Sequence, residues 1–424
     1  MGYSEIMNKT LRLSVTTLLF MIFLIPQSFM QIKLPFLSLA LLGIGIGIFR
    51  GNYKVNHRAF ILYYFLFSLM AVIWCIIGLI KGAATIAVME SFRVYFVYMW
   101  IYFVITIYIS NNEYHKYTDR LFCMAAIGIG TIALYALADH VYGLGWLDQA
   151  LADEMYLQVG IHDGYVQMNN VNIGMLTFII PYLLSRIILE QSGSRQLLFS
   201  GLVVAVISAL LASRRIVLFL FLLAPLITYV ICFFSDQQNK KTGRQVLFFY
   251  SILATIAVAG YWLATLMSPA LVDGFLERVL DIFKNDPESD RQLQHSGLIE
   301  GFENQYLVGS GFGGTIDVVR SDERPWTFEL TYSRLLFNAG FFGIALLGLF
   351  FTYYIFLTIK KIKKTKHKDI YIPLMVGFFS ILIASASNPY LSSFDFLFAL
   401  SIVPLILNTK ETAVSYIEAR GAGV

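Results

Sequence analysis

The chain has 424 residues, of which 58% are hydrophobic, 16% aromatic and only 14% charged, with a formal net charge of +4. Its mean hydropathy of +0.69 excludes a set of soluble domains and is the signature of a polytopic membrane protein. The charge is too small to suggest nucleic acid as a partner, and its distribution says more than its size.

A span needs about 20 mostly apolar residues. Taken in chain order, the apolar runs predict about twelve spans: 11–28, 34–50, 59–80, 94–110, 121–138, 171–190, 196–212, 216–234, 245–267, 331–359, 370–387 and 394–408. The first run carries no small-residue cleavage site, so a retained helix is expected there rather than a signal peptide. The expected architecture is all-α and polytopic, one integral membrane domain over 1–424. Cys75, Cys123 and Cys232 all fall inside predicted spans. Their spacing supports neither a disulfide framework nor a zinc site, so they are expected to pack.

With the N-terminus in the cytoplasm, most Lys and Arg gather on the inner side, in turns such as Arg50/Lys54/Arg58, Lys240/Lys241/Arg244 and the run Lys360–Lys368. That bias satisfies the positive-inside rule and puts both termini inside. Two outer loops then hold the polar chemistry. Loop 139–170 has acids but no Lys or Arg, with His162, Asp163, Asn169 and Asn170 near its end. Loop 268–330, between spans nine and ten, is far longer, and loops of that length are usually functional. Apolar residues at helical spacing predict an amphipathic helix over 270–284. A second helix is expected from Ser289, with a weak capping box at Gln292, to about Asn304, presenting Arg291 and His295 together at i and i+4. Asp286, Glu288 and Asp290 crowd one stretch and are expected to be solvated rather than to bind metal.

Arg214 and Arg215 break the charge rule. They sit between two apolar runs, on the outer side. An arginine at membrane depth costs roughly 2.5–3.5 kcal/mol on insertion scales, so a functional use, holding an anion, is the sharper reading. The bland one is a pair of helix-end arginines snorkelling to headgroups.

The stretches RQLQHSGLIEGFENQYLVGSGFGG (291–314) and WTFELTYSRLLFNAGFFGIALL (326–347) resemble the O-antigen ligase and polymerase superfamily of bacterial inner-membrane glycosyltransferases. In that family an arginine opens a loop helix, matched by Arg291. A glycine-repeat turn follows, matched by Gly309–Gly314, and then a polar residue before a Leu/Gly-rich span, matched over Glu329–Gly343. A Ser-Arg pair in a short outer turn is matched by Ser213-Arg214, with Arg215 next. The similarity covers roughly 160–345. Ligases usually carry His-Asn where this chain has Phe328-Glu329, and the Glu-Leu pair is closer to the polymerase branch.

The resemblance implies a GT-C-like fold and a metal-independent, cofactor-free transfer on the periplasmic face. A growing glycan would pass from undecaprenyl pyrophosphate to a sugar hydroxyl on a second lipid-linked unit. A flippase and a chain-length regulator would share the membrane. Arginine suits such a leaving group because its planar fork binds phosphate bidentately and stays charged. Arg214, Arg215 and Arg291 are therefore the expected pyrophosphate clamp. Glu329, with Tyr332 and Ser333 on its face, is either a helix-dipole partner or the group that orients or deprotonates the acceptor hydroxyl. His295, His162 and Asn170 are further substrate-binding candidates. Gly311 and Gly313 belong either to a backbone nest for phosphate oxygens or to a tight turn. Two alternatives stand: a ligase using the same clamp on lipid A core, and a twelve-helix transporter or flippase. The second is disfavoured because no internal repeat is visible.

Overall fold

A computed structural model describes residues 3–112, 114–145, 149–155, 157–162, 165–169, 171–189, 195–212, 214–235, 239–267 and 290–409. Apolar surroundings leave backbone N–H and C=O groups no water to bond, so each apolar run closes its own hydrogen bonds as a helix. In chain order these are α1 (Tyr3–Leu24), α2 (Met30–Phe49), α3 (Arg58–Ile80), α4 (Thr85–Phe92), α5 (Tyr98–Asn111), α6 (His115–Tyr142), α7 (Gln149–Glu154), α8 (Leu176–Leu189), α9 (Arg195–Leu211), α10 (Arg215–Phe234), α11 (Asn239–Met267), α12 (Asp290–Asn304), α13 (Thr331–Lys364), α14 (Lys368–Ala384) and α15 (Ile402–Asn408). A π-helical turn, Arg93–Val97, joins α4 to α5.

Eight helical segments are long and apolar enough to cross a membrane: Met30–Phe49, Arg58–Ile80, Thr85–Asn111, Tyr117–Tyr142, Asn172–Leu189, Arg215–Phe234, Lys240–Trp262 and Thr331–Lys364. The protein is thus a helical, multi-pass membrane protein. The other four expected segments fall on α1, α9, α14 and the 3-10 turn Asp395–Ser401 leading into α15. The helix expected at 270–284 lies outside the described residues.

Helices α8 and α14 form the centre. Nearly every side chain of α8 is buried, α14 packs along it, and α10 packs against both. At the periphery, α11 buries only 6% of its apolar window. Cys75, Cys123 and Cys232 are buried free thiols.

Two ionic links, each built on a buried cation, tie the bundle. At one end Arg186 of α8 bonds Asp119 of α6 at 3.0 Å and Asp369 of α14 at 2.9 Å, while the Tyr182 hydroxyl donates to Asp119 at 2.6 Å. Towards the other end Lys33 bonds Asp395 at 3.0 Å, both 1% exposed. Lys33 also donates to the Ile25 carbonyl, and the Gln27 amide donates to Asp395. Each buried ion thus has its partners, the condition under which buried charge is tolerated.

Loop 139–170 departs from the expected all-α form. After α6 and the short α7, strands β1 (Gln158–His162) and β2 (Tyr165–Asn169) pair antiparallel, with His162 opposite Tyr165. The sequence between them is Asp163-Gly164, a pair suited to two-residue hairpin turns.

Candidate functional site

The glycine-rich turn is explained by backbone contact. Helix α13 is interrupted at Gly340, whose φ is 64°. The interruption removes helical partners from the Phe337, Asn338 and Ala339 carbonyls and from the Phe341 and Phe342 amides. Loop 306–312 supplies replacements. Ser310 N–H donates to Phe337 O and Gly311 N–H to Asn338 O, both at 2.9 Å, while Phe341 and Phe342 donate to Tyr306 O and Leu307 O. The Trp74 indole of α3 donates to Val308 O and Ala339 O, and Phe312 N–H donates to Trp74 O.

Such closeness requires glycine on both sides. A Cβ at Gly340 would lie 2.5 Å from Gly309 N, and one at Gly311 would lie 2.1 Å from Gly78 N. Gly311 is therefore a structural crossing point rather than part of a phosphate nest: its amide is engaged and it is buried. Gly313, also at positive φ, opens onto a cleft described below.

The turn holds α12 against the start of α13. Gln294 and Leu298 of α12 are buried, Leu298 clustering with Phe328 and Phe337, and the Gln294 side chain accepts from Glu329 N–H at 2.9 Å. The opposing residues meet as two matched rungs. Arg291 Nε lies 2.5 Å from Glu329 Oε2, and His295 Nδ1 lies 2.9 Å from Ser333 Oγ. A second arginine completes the cluster, with Arg320 Nε 3.3 Å from Glu329 Oε1.

One carboxylate thus bridges two guanidiniums through their Nε atoms. The terminal nitrogens of both arginines have no partner among the described residues, and the two side chains are 57% and 52% exposed. The cluster keeps one net positive charge and two open donor pairs, which suits an anion with several oxygens. Glu329, with both oxygens engaged, positions the arginines in this state.

Arg214 is not part of this cluster. It caps α10 after α9 ends at Leu211, and it lies close enough to Tyr390 to act on it electrostatically. Burial pushes the Tyr390 phenol up, and the Arg214 charge opposes that shift. The loop carrying Tyr390 is stitched to the start of α13: Thr331 Oγ1 donates to Asn388 O, and Arg334 donates to Ser392 Oγ at 2.8 Å and to the Tyr95 hydroxyl at 2.6 Å. Tyr95 lies in the π-helical turn, stacked on Phe312, and such turns often mark functional positions. Arg334 has no carboxylate partner among the described residues.

Three predicted residues, Arg291, His295 and Glu329, are therefore brought together, and Arg214 is one loop away. Arg215 is exposed at the first residue of α10 and makes no ion pair among the described residues. The Tyr332 hydroxyl donates to Leu382 O, so it is engaged in holding α13 to α14. His162 ends β1, and Asn170 lies outside the described residues. Sequence reasoning missed Arg320 and Arg334. Arg320 belongs to an aperiodic loop where spacing carries no signal. Arg334, a cation within an apolar helix, carried the same signal that singled out Arg214.

A broad cleft opens on another face of α12. Its volume is about 740 Å³, and its lining includes Lys81, Leu293, Ser296, Glu300, Asn304, Thr315, Asp317 and Trp326. Neither Arg214 nor Arg291 lines it. A scan against family models and a search of curated proteins find no match for this chain.

Proposed function

We propose that this protein is a glycosyltransferase of the bacterial inner membrane, with twelve spans and both termini in the cytoplasm. On this reading it polymerises undecaprenyl-pyrophosphate-linked repeat units into O-antigen or a related surface polysaccharide on the periplasmic face. The observation that carries the reading is the Arg291–Glu329–Arg320 cluster, with its outward-facing donors at the end of the bundle where α3, α13 and the 386–394 loop converge. As the glycosidic bond breaks, charge grows on the departing pyrophosphate oxygen, and preorganised guanidiniums lower that barrier. Arg291 and Arg320 would grip the diphosphate through their free terminal nitrogens. Glu329 would hold both forks in register and, as an anion arrives, release one oxygen toward the acceptor hydroxyl. His295, bonded to Ser333, would flank the same anion. Arg214 and Arg334 would extend the positive field along the 390–392 turn.

The test is a polysaccharide gel from cells carrying Arg291→Ala. The expected pattern is single repeat units on the lipid A core with the long-chain ladder lost. Lipid-linked polymer that accumulates unattached in deletion cells would move the assignment to a ligase. A normal ladder would overturn the clamp.

A further inference from the structure

The geometry points to a second binding site, for an uncharged glycan segment, in the cleft between α12, the α3–α4 connection and loop 313–326. Whether that glycan is the substrate's own sugar chain rests on the proposed function; the binding itself does not. The cleft is built for hydroxyl groups. Ser296, Glu300, Asn304, Thr315 and Asp317 line it, and none of these side chains has a hydrogen-bond partner among the described residues. These side chains are exposed, so they meet water in the free protein, and a hydroxyl-rich ligand offers paired donors and acceptors in its place. A sugar hydroxyl donates to a carboxylate and accepts from an amide, so Glu300, Asp317 and Asn304 match it.

An aromatic wall is present too. Trp326 borders the cleft and is held by its indole N–H, which donates to Glu90 Oε2 at 2.8 Å. A fixed indole offers its apolar body to the C–H face of a sugar ring. Arg324 reaches the same carboxylate at 4.0 Å, so loop 320–326 is moored to α4 near this wall.

Charge decides against a phosphate here. Two carboxylates line the cleft, and its one lysine is engaged: Lys81 Nζ donates to Gln305 Oε1 and to Gly309 O. An anion would meet net negative charge, whereas an uncharged saccharide would not. The α12 helix therefore separates two chemistries. Arg291 and His295 address the Glu329 side, and Leu293, Ser296, Glu300 and Asn304 address the cleft. A lipid-linked glycan has the same division, a diphosphate followed by sugars, and the volume admits a short oligosaccharide rather than a single ion.

The experiment uses the full chain in nanodiscs. The probe is oligosaccharide released by mild acid from the cells' own surface polysaccharide, freed of phosphate and end-labelled with an uncharged fluorophore. Fluorescence anisotropy should report saturable binding that excess inorganic pyrophosphate does not displace. Ser296→Trp, which fills the cleft, and Asp317→Ala, which removes an exposed acceptor, should each weaken binding by about tenfold or more. Both side chains are exposed, so the variants should elute like wild type in size exclusion. Absent saturable binding, displacement by pyrophosphate, or wild-type affinity in both variants would overturn the site. The polymer ladder of Arg291→Ala is scored separately. A normal ladder with intact cleft binding rejects the polymerase and keeps the glycan site; a lost ladder with unaffected cleft variants rejects the site alone.

Discussion

Two sets of ionised side chains in this molecule sit at opposite extremes. Lys33 and Asp395 are buried and gain further bonds from neighbouring backbone, and the buried Arg186 is held by the half-buried Asp119 and the more exposed Asp369. Arg291 and Arg320 are exposed and meet on the half-buried Glu329, with the terminal nitrogens of both left without partners among the described residues. Buried ions must be saturated, because an uncompensated charge in a low-dielectric interior is far costlier than the pair is favourable. Exposed ions contribute little to stability. Donors left open there are available to a ligand. Burial and saturation thus separate arginines that hold the bundle from arginines that can bind.

That contrast can be broken experimentally. Asp395→Ala strands the Lys33 ammonium inside the bundle and should cost about 3–5 kcal/mol, read as a large fall in thermal unfolding temperature of the detergent-solubilised protein. Stability unchanged by that variant would remove the distinction. Arg291→Ala should instead lower the rate of polymer formation by about 10²–10³, measured on labelled lipid-linked repeat units. A rate within a few-fold of wild type would place Arg291 with the surface pairs of no consequence. Gly340→Ala puts a Cβ against the Gly309 backbone at positive φ and should cost about 1–3 kcal/mol from backbone strain alone. It should also cut activity without touching a charged group, since the crossing orients α12 against α13. The smallest effect sharpens the comparison most: Arg291→Ala should change unfolding free energy by only about 0–1 kcal/mol. A loss as large as that of Asp395→Ala would make the cluster structural.

Much of the helical layout was legible because hydropathy is a local property. Runs such as 59–80 and 216–234 predict α3 and α10 almost to the residue, as the backbone of an apolar run has no alternative to its own hydrogen bonds. The pairing of Arg291 with His295 on one face of α12 follows from the i, i+4 rule, and from that helix Arg291 meets Glu329 just before α13 and His295 meets Ser333 within it. Other features were present in the letters but not read. Asp163-Gly164 between alternating residues is a hairpin signal, and the flanking segments do pair as antiparallel strands. The glycines at 309–314 read more readily as a tight turn than as a nest, because glycine permits both a positive φ and a close approach.

The long-range choices were settled only in three dimensions. Nothing local says that Gly309 answers Gly340, or that Arg320 rather than Arg214 shares Glu329 with Arg291. Which carboxylate meets which guanidinium depends on how a loop of irregular backbone is laid across two helices. Composition and periodicity carry no trace of that path. The chain's letters by themselves made this a helical membrane protein, since transfer free energy acts residue by residue. Tertiary structure decided which cations stay open and that a separate polar cleft lies across α12, because both depend on contacts between segments far apart in the chain.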